Sequence, residues 1–153
     1  MKMLIKLMAC VALVLPGAAA FAQEHYTEGP VWDMSFYRIK EGKFDEYMQY
    51  VRTNSLRTYE EAKKQGLILD YKMYMKNPTS PDDWNFAVGV LYPNAGKALD
   101  FNQADDDKWN AIAAKVFNEQ DMKKRNEMSA VRYEMREFLG SMPIREIKLK
   151  PMN

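Results

Sequence analysis

Three polar side chains alternate with large apolar ones along residues 31–39. The polar set is Asp33, Ser35 and Tyr37, and the apolar set is Trp32, Met34 and Phe36. An alternation of period two predicts a β-strand with two different faces. A carboxylate held among apolar walls resists ionisation and can serve as a general base near neutral pH. Asp33 is therefore a candidate base, and Tyr37 a candidate hydrogen-bond donor to a substrate oxygen.

Two further strand-like segments carry polar residues at alternate positions. If the bulky residues of each strand face the helices, the opposite face carries polar and small side chains, as a small-molecule pocket requires. The candidate ligand-binding residues are Asp33, Ser35, Tyr37, Asp70, Lys72 and Asn85. The alternative is structural, because small residues such as Ala87 and Gly89 let two sheets approach closely and polar side chains can pair across a dimer interface.

Thiol and histidine chemistry have almost no candidates in this chain. The single cysteine, Cys10, lies in the apolar N-terminal segment, and the single histidine, His25, follows shortly after it. Met73 and Met75 could present two sulfur ligands to copper, but methionine most often fills cores. We therefore expect no metal site and no cofactor.

The first 22 residues have the three parts of a secretory signal peptide. Lys2 and Lys6 precede an apolar run that ends at Pro16-Gly17, and Ala20-Phe21-Ala22 supplies a small-residue cleavage site. The apolar run is too short to span a bilayer. We predict export to the periplasm or the medium and no membrane attachment after cleavage.

The charge balance argues against a nucleic-acid partner. The chain has 22 Lys and Arg against 21 Asp and Glu, and the predicted leader removes two of the lysines. Nucleic-acid binding normally demands a basic face. The one basic cluster, Lys123-Lys124-Arg125, is flanked by acids, so we interpret it as the solvated side of a helix.

The rest of the chain predicts a flexible arm over residues 23–30 and one domain over residues 31–150. Its first helix begins at Phe44 and ends before Gly66, with apolar residues at intervals of three and four. Residues 131–138 fit both a strand and a helix, and alternation favours the strand. The other predicted elements are strands at Val31–Ile39, Leu67–Met75, Trp84–Tyr92 and Pro143–Leu149, and helices at Ala95–Asn102 and from Asp105 to about Asn126.

The predicted order of elements is strand, helix, strand, strand, helix, strand. This order is typical of an α+β fold of the ferredoxin-like βαββαβ type, with an antiparallel sheet and helices on one face. The other face of such a sheet needs a partner to bury it.

Two stretches resemble the dimeric α/β-barrel superfamily, and in particular its small exported bacterial members. They are YRIKEGKFDEYMQYV, residues 37–51, and WNFAVGVLYPNAGKALDF, residues 84–101. The resemblance implies a homodimer whose two sheets face each other across a barrel-like space. The superfamily includes cofactor-free monooxygenases, haem-handling enzymes, isomerases and proteins with no known activity, so the resemblance does not specify a reaction.

Two functional interpretations follow. In the first, the homodimer binds a small, mostly apolar ligand between its sheets. In the second, it is a cofactor-independent monooxygenase or isomerase for a small aromatic or quinol-like substrate, with Asp33 and Tyr37 inside the barrel. The scarcity of histidine and cysteine favours the first interpretation.

Overall fold

The structure, a computed structural model, describes residues 25–152 of the 153-residue chain. The predicted signal peptide lies outside the described residues, as do the first two residues of the predicted arm. The strands are β1 (Tyr26–Ile39), β2 (Asp70–Met75), β3 (Phe86–Tyr92) and β4 (Arg136–Leu149), and the helices are α1 (Phe44–Tyr50), α2 (Leu56–Lys64), α3 (Ala95–Leu99), α4 (Gln103–Phe117), α5 (Met122–Ala130) and α6 (Arg132–Met135).

The four strands form one antiparallel sheet in the order β2-β3-β1-β4. Helices connect β1 to β2 and β3 to β4, whereas a loop without helix or strand connects β2 to β3. The chain is therefore an α+β protein, as predicted. Within the described part of the chain, no helix is both long enough and apolar enough to cross a lipid bilayer.

Strand β1 begins at Tyr26, five residues before the predicted start, because β4 continues beside it. Tyr26 pairs with Leu149, and the pairing register shifts between Glu28 and Val31. Such a bulge accommodates Pro30, which has no N–H to donate to a neighbouring strand. The residues expected to form a flexible arm thus join the sheet from Tyr26 onward.

The first helical region ends where the sequence predicts. Gly66 adopts a left-handed φ of 70°, and the N–H of Gln65 donates to the carbonyl of Glu61. The region is not a uniform α-helix, because a π-helical segment, Val51–Ser55, separates α1 from α2. Thr53 and Asn54 donate side-chain hydrogen bonds to carbonyls of the preceding turn.

The core lies between the helices and one face of the sheet. Phe86, Val88 and Val90 of β3 pack against Tyr47, Val51, Ala62 and Ile112 from the helices, with Leu67 and Ile68 from the connection to β2. Leu67 and Ile68 were predicted to open β2, but the strand begins at Asp70.

The long helix predicted from Asp105 to about Asn126 is two helices. Asn118 adopts a left-handed φ of 51° at the end of α4, a conformation that asparagine tolerates better than most residues. Helix α5 then begins after Asp121, whose side chain accepts a hydrogen bond from the N–H of Lys124.

Residues 131–138, whose sequence fits both a strand and a helix, contain a part of each. Residues Arg132–Met135 are helical, and β4 begins at Arg136. Gly140 does not end the strand as predicted. It has a φ of 142° beside an irregularity in the pairing with β1, and β4 continues to Leu149.

Candidate functional site

The sheet register decides which face each predicted site residue occupies. Asp33 pairs with Val90, Ser35 with Val88 and Tyr37 with Phe86. Directly paired residues of antiparallel strands point to the same face. The three polar residues of β1 therefore share the face of the core, and the prediction that they lie on the opposite face was wrong.

Asp33 is half-buried on this core face. Burial raises the pKa of its carboxyl above the ordinary value, and its negative charge contributes to the raised pKa of Tyr92, of which burial is the larger cause. Asp33 does not lie where two sheets could meet, which removes the geometric basis for its role as a base inside a barrel.

Tyr37 is held by its neighbours on the core face. The guanidinium carbon of Arg136 lies 3.6 Å from the centroid of its ring, and the ring of Phe138 is 5.6 Å away. A cation over an aromatic face is a stabilising contact. The structure thus gives Tyr37 a packing role beneath the helices.

Asn85 braces the backbone of the neighbouring strand. Its side-chain oxygen accepts a hydrogen bond of 2.8 Å from the N–H of Ile39, and its Nδ2 donates to the carbonyl of Ile39 at 3.2 Å. Both ends of the amide are used, so its side chain stabilises the end of β1.

Asp70 and Lys72 lie on the other face of the sheet. This is the face that the sequence predicts for all six candidate ligand-binding residues. Asp70 and Lys72 pair with Leu91 and Gly89 of β3. Asp70 accepts a bond of 2.7 Å from Lys63, and this lysine lowers the pKa of its carboxyl. Lys72 places its Nζ 5.1 Å from the centroid of the Trp32 ring.

This second side of the sheet, which we call the open face, is predominantly apolar. None of its side chains belongs to the core cluster formed with the helices. Met142 and Ile144 of β4 remain 50% and 46% exposed, and Tyr74 of β2 is 41% exposed. The open face is formed by Trp32, Met34, Phe36, Lys72, Tyr74, Ala87, Gly89, Leu91, Met142 and Ile144.

At the centre of the open face, Trp32 lies against Gly89. A Cβ added to Gly89 would come within 2.6 Å of Met34 Sδ and 3.1 Å of Trp32 Cε3, so the glycine is needed for this packing. The indole Nε1 donates to Glu146 at 2.8 Å. The ring is thus fixed between an acidic side chain and the ammonium group of Lys72.

A cavity lies among the helices, on the other side of the sheet from the open face. We call it the helix cleft; its volume is about 280 Å³, and α1, the π-helical segment, α2, α4, α5 and α6 line it. Its walls include the phenols of Tyr50 and Tyr59 and two guanidinium groups, those of Arg125 and Arg132. Burial raises the pKa of both tyrosines, so both stay protonated.

Arg125 contradicts the interpretation of its cluster as a solvated helix side. Lys123 and Lys124 are exposed, but Arg125 is only 6% exposed. Its guanidinium donates to the carbonyls of Glu119 and Gln120 at 3.1 and 2.6 Å. Helix α5 therefore turns Arg125 inward, onto the helix cleft.

Sequence reasoning missed the helix cleft, although one signal was present. The apolar positions Val51 and Leu56 are five residues apart, an interval that matches the i→i+5 spacing of a π-helix and not the three or four of an α-helix. Single-turn π segments are frequent at functional sites. The inward direction of Arg125 had no such signal, because residue type does not distinguish it from the exposed basic residues Lys123 and Lys124 beside it.

Among residues 25–152, no group of three or more histidine, cysteine, aspartate or glutamate side chains is arranged to hold a metal ion. His25 lies at the exposed start of the described chain, where its carbonyl accepts a hydrogen bond from the N–H of Lys150. Comparison of the chain with protein-family models, with curated proteins and with solved structures finds no match.

Proposed function

We propose that this protein is an exported, ferredoxin-like domain that forms a homodimer through the open face and binds a small, mostly apolar ligand between the two sheets. The observation that carries the proposal is the apolar open face, with Met142 and Ile144 exposed beside the buried Gly89. Contiguous apolar surface of this kind marks interaction sites. Fully burying an isoleucine or methionine side chain contributes about 1.5–3 kcal/mol.

The order of the strands allows a second copy to cover the open face. The two edge strands of the sheet are β2 and β4. With a two-fold axis parallel to the strands, the β2 edge of one copy meets the β4 edge of the other. The same apolar side chains of each copy then cover those of the other, because such an interface is self-complementary.

The indole of Trp32 is the surface on which we expect a ligand to lie. It is a flat, apolar ring that packs over Gly89 next to Met34. Aromatic rings stack on such a surface at a centroid separation of about 4.5–7 Å. We therefore expect a neutral aromatic molecule to be a better ligand than an aliphatic one of the same size.

The dimer is tested by a pair of substitutions on one strand. Ile144→Lys places a charge on the open face, whereas Ile147→Lys alters a comparably exposed residue that alternation places on the other face of β4. In sedimentation velocity, we expect wild type and Ile147→Lys to be dimers. The dissociation constant of the Ile144→Lys dimer should be at least a hundredfold higher than that of wild type. A monomeric wild type at 100 µM, or a dimer indifferent to Ile144→Lys, would contradict the proposal.

The ligand is tested with 4-methylphenol in ¹⁵N-resolved NMR spectra. The chain has three tryptophans, so three indole N–H signals report on separate places. We expect the Trp32 signal to shift and saturate, and the Trp109 signal to stay, because Trp109 packs against the core. If no indole signal moves at millimolar 4-methylphenol, the ligand part of the proposal fails even if the dimer is found.

A further inference from the structure

The helix cleft has a strong imbalance of charge. Two guanidinium groups line it, from Arg125 and Arg132, and its lining contains no aspartate or glutamate. Within residues 25–152, neither arginine forms an ion pair with a carboxylate. Arginine is effectively always protonated, so the cleft carries two positive charges that no carboxylate of the described residues pairs with.

The two arginines differ in how the protein satisfies them. Arg125 is buried and donates to two backbone carbonyls, which fixes it in place. Arg132 donates from its Nη2 to the hydroxyl of Tyr133, but its Nε is buried and has no partner within the described chain. An unpartnered buried donor is destabilising, and buried polar groups are almost always paired. Arg132 is therefore the group that an added acceptor would stabilise most.

The rest of the lining selects for an organic molecule over a bare inorganic anion. Ala113, Phe117 and Met122 contribute apolar surface, and Tyr50 and Tyr59 contribute ring faces and phenol groups. A volume of about 280 Å³ is just below the usual range for ligand pockets, about 300–1,000 Å³, so the occupant is small.

The π-helical segment is part of this site. It places Asn54 and Ser55 on the cleft beside Tyr50, and the Nδ2 of Asn54 donates to the carbonyl of Tyr50 at 3.3 Å. The segment is thus held by its own side chains and contributes polar groups to the lining, to which α4 contributes Ala113 and Phe117.

We propose that the helix cleft binds a small aromatic carboxylate, with its carboxylate paired to the guanidinium of Arg132 and its ring between the tyrosines and α4. Guanidinium and carboxylate groups form two parallel hydrogen bonds, which gives both affinity and orientation. This site is independent of the open face, and a monomer carries it as well as a dimer.

The test compares 4-hydroxybenzoate with the neutral 4-hydroxybenzamide by isothermal titration calorimetry. We expect the carboxylate to bind at least tenfold more tightly than the amide. Arg132→Gln should remove this preference, whereas Arg52→Gln, the same change at an exposed position of the π-helical segment, should leave it within twofold. Equal affinities for the two molecules, or an equal loss in both variants, would overturn the proposal.

A second variant and a spectroscopic measurement test the same site without relying on the folding of Arg132→Gln. Ser129→Leu fills the cleft from α5 without changing its charge and should also abolish binding. In the wild type, the Nε–H signal of Arg132 should shift on titration with 4-hydroxybenzoate. If inorganic phosphate alone produces the same shift and the same affinity, the cleft is a general anion site and the aromatic part of the proposal is wrong. Retention of binding in Ile144→Lys separates this site from the dimer.

Discussion

At the scale of single residues, Asp83 organises the loop between β2 and β3. Its carboxylate accepts hydrogen bonds from Lys76 Nζ at 2.6 Å and from both the N–H and the hydroxyl of Thr79 at 2.8 Å. These partners, Lys76 first, lower the pKa of Asp83 well below its ordinary value. The ammonium group of Lys76 also lies 4.6 Å from the centroid of the Trp84 ring.

The lowered pKa of Asp83 predicts a specific pH dependence. Because the pKa is lower in the folded state, the stabilisation is complete above the unfolded pKa of about 3.9 and is lost as pH falls from there towards the folded value. Asp83→Asn should therefore be less stable than wild type at pH 7, and the difference should shrink at about pH 2.5. Free energies of unfolding from urea titrations at the two pH values measure this.

The control for this experiment is the adjacent aspartate. Asp82 is almost fully exposed and lies 3.8 Å from Arg38 in a peripheral ion pair. Exposed pairs contribute about 0–1 kcal/mol, so Asp82→Asn should change little at either pH. If Asp83→Asn lowers the free energy of unfolding by the same amount at both pH values, the contribution of Asp83 does not depend on its negative charge.

Residue types alone could not assign the faces of β1. Both parities carry an aromatic residue, and Tyr37 is as able as Phe36 to enter a core. What decides the matter is the pairing of Asp33 with Val90 and of Ser35 with Val88, which is a contact between distant parts of the chain. Polarity misled the prediction because an aspartate can be half-buried on the core face at a raised pKa.

At the scale of elements, the π-helical segment keeps the apolar stripes of α1 and α2 on the same side, facing the core. A single added residue rotates the following helix by about 100° relative to a regular α-helix. With the wider π turn, Tyr47 and Val51 on one side of the segment and Ala62 on the other all reach the same core. The chain thus gains the polar side chains of Asn54 and Ser55 at the cleft without losing its core contacts.

Deleting one residue of this segment should convert the region into a continuous α-helix. Without Thr53, Val51 and Leu56 become four residues apart, the normal spacing of an α-helical stripe. We expect the deletion to retain a cooperative urea transition, whereas deletion of Ala111 from the regular helix α4 should abolish it by rotating Ile112 and Ala114 away from their buried positions. If both deletions unfold the protein, the segment is not an accommodated insertion.

The boundaries of elements were predictable where a local cap or turn sets them. Gly66 ends α2 and Phe44 begins α1, as the sequence indicates. The ends set by pairing were not predictable: Tyr26 joins the sheet only because β4 extends to Leu149, and Gly140 remains in β4 because a bulge accommodates it.

At the scale of the whole molecule, the sheet has two apolar faces and the described helices form the core with only one of them. The α+β class and the antiparallel sheet follow from local patterns, so both could be predicted from the sequence. The open face and the helix cleft could not be predicted, because the first depends on which strand parity faces the core and the second on how α4 and α5 meet at Asn118. The helix cleft exists only because the chain turns there and brings α5 back against α4.

If the open face is covered by a second copy, folding and association are linked, and thermal stability must depend on protein concentration. Each tenfold dilution removes about 0.7 kcal/mol per protomer from a dimer that unfolds to two chains. A hundredfold dilution should therefore lower the midpoint of thermal unfolding by roughly 3–6 °C for a domain of this size. Differential scanning fluorimetry between 1 and 100 µM measures this for wild type and for Ile147→Lys, both of which should show the shift. Ile144→Lys puts a charge on the open face, and its unfolding midpoint should not change with protein concentration. If the midpoint of wild type is also independent of concentration, the open face does not form the proposed dimer.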